Sequence, residues 1–168
     1  MKESAGILTV ENLKKHFVMD SGRGKKKILK AVDGVSFSVQ KGETLGLVGE
    51  SGCGKTTAGR TILGLYSITH GKVIISGIAV HSADKRETLK LRRKAQMIFQ
   101  DPYASLNPRW TVSAIIGEPI RVHRLIPNEA ERDERIRELM TLVGLSPGLI
   151  NRFPHEFSGG QRQRIGVA

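Results

Sequence analysis

Residues 49–56 read Gly49-Glu50-Ser51-Gly52-Cys53-Gly54-Lys55-Thr56 and match the pattern G-x-x-x-x-G-K-[ST] at every fixed position. The glycines let the backbone wrap so that successive N–H groups point inward. Lys55 then supplies a cation for the β and γ phosphates, and Thr56 supplies a hydroxyl for Mg²⁺. The stretch therefore predicts a loop that binds a nucleoside triphosphate.

The segments around this loop predict a strand before it and a helix after it. Thr44–Val48 is a short apolar run typical of a buried strand, and the following helix has one shared apolar face, formed by Ala58, Ile62 and Leu65. Two further strands are predicted at Lys72–Ser76 and at Ala95–Phe99, the second of which ends at Gln100. Strand, loop and helix in this order are what a phosphate-binding loop requires.

The two ends of the chain differ from this central part in their pattern of apolar and polar residues. Alternating apolar and polar residues in 7–39 predict an antiparallel β layer. After Gln100 the clearest element is a helix at Glu129–Val143, which Asn128 is expected to cap. Residues 101–157 are accordingly expected to form a small helical subdomain.

Composition narrows the classes of function. The 168 residues carry a net charge of +11, but only 5% of them are aromatic, which gives a poor stacking surface for single-stranded nucleic acid. The single cysteine, Cys53, excludes a disulfide framework within the chain. No secretion signal or apolar stretch of membrane-spanning length is recognised, so a cytosolic protein is expected.

A second motif, Phe157-Ser158-Gly159-Gly160-Gln161, precedes a helix-forming run. Ser158 and Gln161 have the spacing of a capping box, which predicts a helix N-terminus with free backbone donors. Such an end can bind an anion. Taken alone, however, the motif indicates no more than an ordinary helix start.

Taken together, the two motifs resemble those of ABC transporter ATPases, whose signature is usually written L-S-G-G-Q and here has Phe157 in place of leucine. The segments Gln100–Pro108 and Arg152–Arg164 are similar to the oligopeptide/dipeptide (and nickel) importer branch. The resemblance covers essentially the whole chain. It implies an α/β fold, with a P-loop NTPase (RecA-like) core, an N-terminal antiparallel β layer and a helical subdomain.

The resemblance also implies roles for individual residues. Phe17 would stack on adenine, and Gln100 would reach Mg²⁺ and the attacking water. The ATP-binding set would comprise Phe17, Gly49, Glu50, Ser51, Gly52, Cys53, Gly54, Lys55, Thr56, Thr57 and Gln100, with Thr56 and Gln100 serving the metal. The signature residues Ser158, Gly159, Gly160 and Gln161 would contact ATP held by a partner subunit.

The implied protein is a peripheral ATPase at the cytoplasmic face of the membrane. Its partners would be a second, homologous ATPase in a heterodimer, the transmembrane permease subunits and, indirectly, an extracytoplasmic substrate-binding protein. Nucleic acid is not an expected partner. Tyr103, Leu106 and Trp110 are the expected docking surface for the permease.

Relatives continue past the signature helix into an Asp-Glu pair and a switch histidine, whereas this sequence ends at Ala168. We therefore expect a partial ABC ATPase domain (1–100 β layer and core, 101–157 helical subdomain, 158–168 signature) that lacks the C-terminal half of the core. It would be marginally stable, would bind ATP weakly and would hold no catalytic residue. Two alternatives remain open: a soluble ABC ATPase acting on nucleic acid, and a non-enzymatic nucleotide-binding remnant.

Overall fold

Two long antiparallel strands begin the chain. In the computed structural model, which describes residues 6–20, 26–99 and 105–168, β1 (Leu8–Asp20) pairs with β2 (Lys26–Val39). The register runs from Leu8 opposite Val39 to Asp20 opposite Lys26. The antiparallel layer predicted for residues 7–39 is confirmed.

The other edge of β1 is covered by β3 (His70–Ile75), from which β4 (Ile78–Ala79) turns back, so that the sheet order is β2-β1-β3-β4. Ser76 and Gly77 form the turn, with φ of 48° and 82°, and two such left-handed residues match the twist of a tight hairpin. Two helices accompany this sheet, α1 (Lys55–Ile62) and α2 (Lys85–Lys94).

The buried side chains of this part of the chain come from the strands and from both helices. They form one apolar cluster: Val10, Leu13, Val32, Ala58, Ile62, Val73, Ile75 and Leu91. Because Ala58 and Ile62 belong to this cluster, α1 is held by its apolar face. Leu65 was expected on the same face, but α1 ends at Ile62 and Leu65 is 41% exposed.

Two predicted strands are wrong. Thr44–Val48 and Ala95–Phe99 are irregular segments here, and Val48 is 90% exposed rather than buried. A strand exists only when another strand satisfies its backbone groups, and the described residues place none beside these two segments. Both segments are apolar as a buried strand would be, but the sequence does not show whether a second strand pairs with them.

In the described residues 105–168, three helices surround a second core. These are α3 (Val112–Val122), α4 (Glu129–Leu142) and α5 (Gly159–Val167), with short 3₁₀ turns at Pro147–Leu149 and Pro154–Glu156. The helix predicted at 129–143 is confirmed to within one residue. Asn128 caps it as expected, because its side chain accepts from the N–H groups of Ala130 and Glu131.

Contacts divide the chain into two compact units, Met1–Gln96 and Met97–Ala168, each with a core of its own. The second core joins all three helices and includes Val112, Ile116, Ile136, Met140, Phe157 and Ile165. Within the described ranges, none of the helices is long and apolar enough to cross a lipid bilayer.

Candidate nucleotide-binding site

The loop from Gly49 to Gly54 has the conformation that its glycines predict. Gly52 and Gly54 lie in the left-handed region, with φ of 82° and 102°. A β-carbon on Gly49 would stand 2.6 Å from the sulfur of Cys53, so the two ends of the loop approach closely across it. The backbone is therefore curled as a phosphate cradle must be.

The side chain of Lys55 folds back over this loop. Its Nζ donates to the carbonyl oxygens of Gly49 and Glu50, at 2.7 Å in each case, and lies 3.6 Å from the sulfur of Cys53. The ammonium group is thus fixed at the loop by the loop's own backbone. The ammonium group places a positive charge at the loop, where it would attract an anion.

Helix α1 begins directly after the loop and adds its own donors. Gly54 is the N-cap, no side chain caps the helix, and no acidic residue lies in its first turn. The first backbone bond is donated by Ala58 to Gly54, so the N–H groups of residues 55–57 precede the helical ladder. With the positive end of the helix dipole, this arrangement suits a phosphate group.

The two threonines that follow the lysine have different surroundings. Thr56 is exposed beside the loop, where its hydroxyl is available to a metal or to solvent. Thr57 is half-buried, and its carbonyl oxygen accepts a hydrogen bond of 2.7 Å from the hydroxyl of the fully buried Thr61. Across the described residues there is no cluster of three or more His, Cys, Asp or Glu that could hold a metal. Of the described residues in this loop, Thr56 is the one whose hydroxyl could join phosphate oxygens and water around a magnesium ion.

Phe17, the expected adenine-stacking residue, lies on β1 opposite Leu29 and is half-buried. Its ring meets that of Tyr66 edge to face, with centroids 5.7 Å apart and planes at 89°. The ammonium of Lys15 lies 4.8 Å from the Phe17 centroid. The contact between Tyr66 and Phe17 was not predictable from the sequence, because it depends on how the segment after α1 packs along β1.

The second motif forms the N-terminus of α5 as a complete capping box. The Ser158 hydroxyl accepts from the Gln161 N–H at 3.3 Å, and the Gln161 side-chain oxygen accepts from the Ser158 N–H at 2.9 Å. Of the four N-terminal donors, the two left over are the N–H groups of Gly159 and Gly160. Phe157, in the position of the signature leucine, is buried in the second core and anchors this turn.

The surroundings of Gly160 are open. A β-carbon built on Gly160 would meet no atom within 4 Å, so packing within the described chain does not require glycine there. Just before the motif, the carboxylate of Glu156 accepts from the Phe153 N–H at 2.7 Å and pairs with Arg152. This N–H donor and the Arg152 guanidinium hold the pKa of Glu156 below its ordinary value.

Four further residues were expected at the metal site or at the docking surface. Gln100 and Tyr103 lie outside the described residues. Leu106 was expected at a docking surface, but it is buried in the second core because its side chain packs among α3 and α5. Trp110 is 39% exposed and borders a groove of about 320 Å³ between α3 and α4, whose lining combines the apolar Gly117 and Ile136 with Glu118, Arg121, Arg132 and Asp133.

A curled glycine loop with a fixed lysine at the start of a helix, followed along the chain by a capped S-G-G-Q turn, defines a nucleotide-binding ATPase cassette. The chain belongs to the ABC transporter family, whose model matches residues 32–168. It is 55% identical over 163 residues to the oligopeptide transport ATP-binding protein OppF of Bacillus subtilis (strain 168), covering 96% of this chain and 52% of that protein.

Other relatives carry similar names. The chain is 52% identical to the oligopeptide transport ATP-binding protein AppF of Bacillus subtilis (strain 168), covering 96% of this chain and 50% of that one. It is 48% identical to the dipeptide transport ATP-binding protein DppF of Lactococcus lactis subsp. cremoris (strain MG1363), covering 100% and 53%. The chain thus spans about half the length of the curated relatives it matches.

Solved structures agree on the fold. The ATP-binding cassette MJ0796, in a dimeric post-hydrolysis state bound to ADP and Pi, superposes with a TM-score of 0.82 at 28% identity, covering 95% of this chain and 67% of that one. Another dimeric structure of MJ0796, described as a bacterial ABC transporter cassette, gives the same TM-score at 30% identity. The predicted class, a P-loop NTPase core with an antiparallel β layer and helices, is confirmed.

Proposed function

We propose that the protein binds ATP and energises a peptide importer, as an ATPase subunit that works in pairs. The observation that carries the proposal is the position of the Lys55 ammonium, held at 2.7 Å from two loop carbonyls at the start of α1. The names of the relatives, oligopeptide and dipeptide transport ATP-binding proteins, supply the cargo class.

The residues of the loop suit a triphosphate. Residues 55–57 offer N–H groups, Lys55 offers a cation, and Thr56 has an exposed hydroxyl for the magnesium ion that would accompany ATP. When bound, that ion neutralises charge on the phosphate oxygens. Phe17 provides an aromatic surface for the adenine, and Gln100, which lies outside the described residues, is proposed to contact the metal.

The turn at Ser158 suits the ATP of a second subunit. Ser158 and Gln161 hold the turn in place, and the described residues offer no acceptor to the N–H groups of Gly159 and Gly160. The open space beside Gly160 allows a phosphate to approach the backbone. Support for pairing comes from MJ0796, which is dimeric in its ADP-bound structure. For this protein, the proposed arrangement is a homologous pair bound to permease subunits at the cytoplasmic face of the membrane.

Uptake of a labelled oligopeptide tests the proposal. A strain in which the gene is deleted is complemented with the wild-type gene, at its natural length, or with one carrying Lys55→Ala. We expect uptake to return only with the wild type, while both proteins accumulate to the same level on an immunoblot. Normal uptake in the deletion strain would exclude a role in peptide import. Salt-sensitive binding of DNA by the purified protein would instead favour a nucleic-acid ATPase.

A further inference from the structure

The aromatic pair of Phe17 and Tyr66 joins β1 to the segment that follows α1. A ring that stacks on a base contributes most when it is already held in place, because less motion is lost on binding. We infer that Tyr66 is a positioning residue for the adenine-binding ring of Phe17 and so contributes to recognition of the base rather than of the phosphates. The inference rests on the ATP-binding function proposed above.

The backbone places Tyr66 through a turn at the end of α1. Gly64 adopts a left-handed conformation, with φ of 70°, and the carbonyl oxygen of Arg60 accepts from the N–H groups of Leu65 and Tyr66 at 2.8 and 3.3 Å. A β-carbon on Gly64 would stand 2.9 Å from a Val80 methyl group, so the turn is also packed from outside. The position of Tyr66 therefore follows from that of α1.

The Tyr66 side chain is fixed at both ends. Its hydroxyl oxygen accepts a hydrogen bond of 3.0 Å from the Arg60 guanidinium, in a partly buried setting, and its ring meets Phe17 at a centroid distance of 5.7 Å. Arg60 belongs to the same helix whose first turn follows the phosphate loop. One helix thus carries the phosphate donors at its start and the support for the base-stacking ring at its end.

Lys15 closes one side of the aromatic pair. Its ammonium lies 4.8 Å from the Phe17 centroid and 5.9 Å from that of Tyr66, and it donates to the Ser67 hydroxyl at 3.3 Å. A cation over a ring is attracted to the electron-rich face, which adds a second restraint on Phe17. The Lys15 ammonium therefore occupies one side of the Phe17 ring.

Comparison of two ligands isolates this role. Dissociation constants of ATP and of inorganic tripolyphosphate are measured by displacement of a fluorescent ATP analogue from the protein at its natural length. With Tyr66→Ala, we expect ATP to bind about three- to tenfold more weakly, the range of an aromatic pair, and tripolyphosphate to bind as in the wild type. Tyr66→Phe keeps the ring but not the bond to Arg60, so its effect should be smaller.

Two further variants complete the test. Leu65→Ala, a truncation of the exposed neighbour, should leave the ratio of the two constants unchanged. Phe17→Ala should weaken the binding of ATP and leave that of tripolyphosphate unchanged. The double variant with Tyr66→Ala should bind ATP no more weakly than Phe17→Ala does, because the ring that Tyr66 supports is gone. If Tyr66→Ala does not fold, Tyr66→Leu keeps the bulk without the aromatic ring. The ratio of the dissociation constants of ATP and tripolyphosphate is then measured on that variant.

The possible failures are distinguishable. If Tyr66→Ala weakens ATP and tripolyphosphate equally, the residue merely supports α1 and the inference is overturned. The inference also fails, while the adenine site stands, if Phe17→Ala shifts the ratio and Tyr66→Ala does not. If Phe17→Ala leaves the ratio unchanged, the adenine site itself is wrongly placed, and the inference falls with it.

Discussion

A β-carbon on Gly54 would stand 2.2 Å from the carbonyl oxygen of Ala31, so the phosphate loop touches the backbone of β2 at this point. Gly54 also has φ of 102°, a value that residues with a side chain rarely adopt. Neither partner can yield, because both are backbone and β2 is paired with β1 over its length. Steric fit and backbone conformation therefore both require glycine here.

The first prediction compares two glycines of this loop. Gly54→Ala should lower the free energy of unfolding by at least about 2 kcal/mol, because it adds a clash to a strained conformation. Gly52→Ala, at φ of 82° but with nothing within 4 Å, should cost only about 1 kcal/mol. Urea unfolding of the two variants measures the difference. Equal losses would show that β2 gives way more easily than the contact implies.

The second prediction concerns the cation of the loop. Lys55→Met removes the ammonium but keeps an apolar chain of similar length, and should weaken ATP binding about 10- to 100-fold, the range for charged hydrogen bonds. Lys41→Met, at an exposed lysine in a surface turn, is the matched control and should bind ATP normally. Isothermal titration calorimetry gives both constants. Retention of wild-type affinity by Lys55→Met would remove the main support for the phosphate site.

The third prediction separates stability from assembly at α5. Gly160→Ala should stabilise the chain by about 0.5 kcal/mol, since alanine favours a helix and open space surrounds this position. It should nevertheless weaken ATP-dependent pairing, because the new methyl group would lie where the proposed arrangement brings the partner's phosphate. Gly166→Ala, in the same helix, should stabilise similarly and leave pairing intact.

Thermal unfolding and light scattering with and without Mg-ATP provide the two readouts for these glycine variants. A Gly160→Ala protein that pairs as well as the wild type would contradict the proposed approach of the partner's nucleotide to this turn.

The fourth prediction is a pH dependence at Glu156. Its folded-state pKa is lowered, first by the Phe153 N–H and then by Arg152, so its contribution to stability is present above the ordinary value of 4.5 and is lost as pH falls through the lowered pKa. Glu156→Gln should therefore be less stable than the wild type at neutral pH, and the difference should shrink on acidification. Denaturant unfolding at a series of pH values from 7 down into the acid range measures the difference in free energy of unfolding between the two proteins.

Arg152→Gln tests the order of these causes. It leaves the Phe153 N–H in place, so it should remove the smaller share of the pH-dependent stability. Loss of most of the pH-dependent stability in Arg152→Gln would show that the ion pair, and not the backbone donor, dominates.

Local chemistry explains which features were predictable from the sequence. The loop at 49–56, the cap at Asn128 and the box of Ser158 and Gln161 each depend on residues within a few positions of one another, so the sequence contains them whole. The helix at 129–142 was equally predictable, because its apolar residues recur with helical periodicity.

Features that depend on residues far apart in the chain could not be predicted from the sequence. Thr44–Val48 has the composition of a strand, but pairing is a property of two segments, and the described residues offer no neighbour for it. The contact between Phe17 and Tyr66 spans β1 and the turn after α1, and was missed for the same reason. Leu106 was misplaced because an apolar residue in a sequence rich in turn-forming residues can face either a partner or its own core.

The capping box of Ser158 and Gln161 has a consequence for the rate of the proposed pairing. The first turn of α5 has its final shape before anything covers it, so little motional freedom remains to be lost there on contact. A partner would meet a rigid template at this point. The rate of pairing would then depend on how often two such surfaces collide in the correct orientation, and not on any ordering of this turn after they meet.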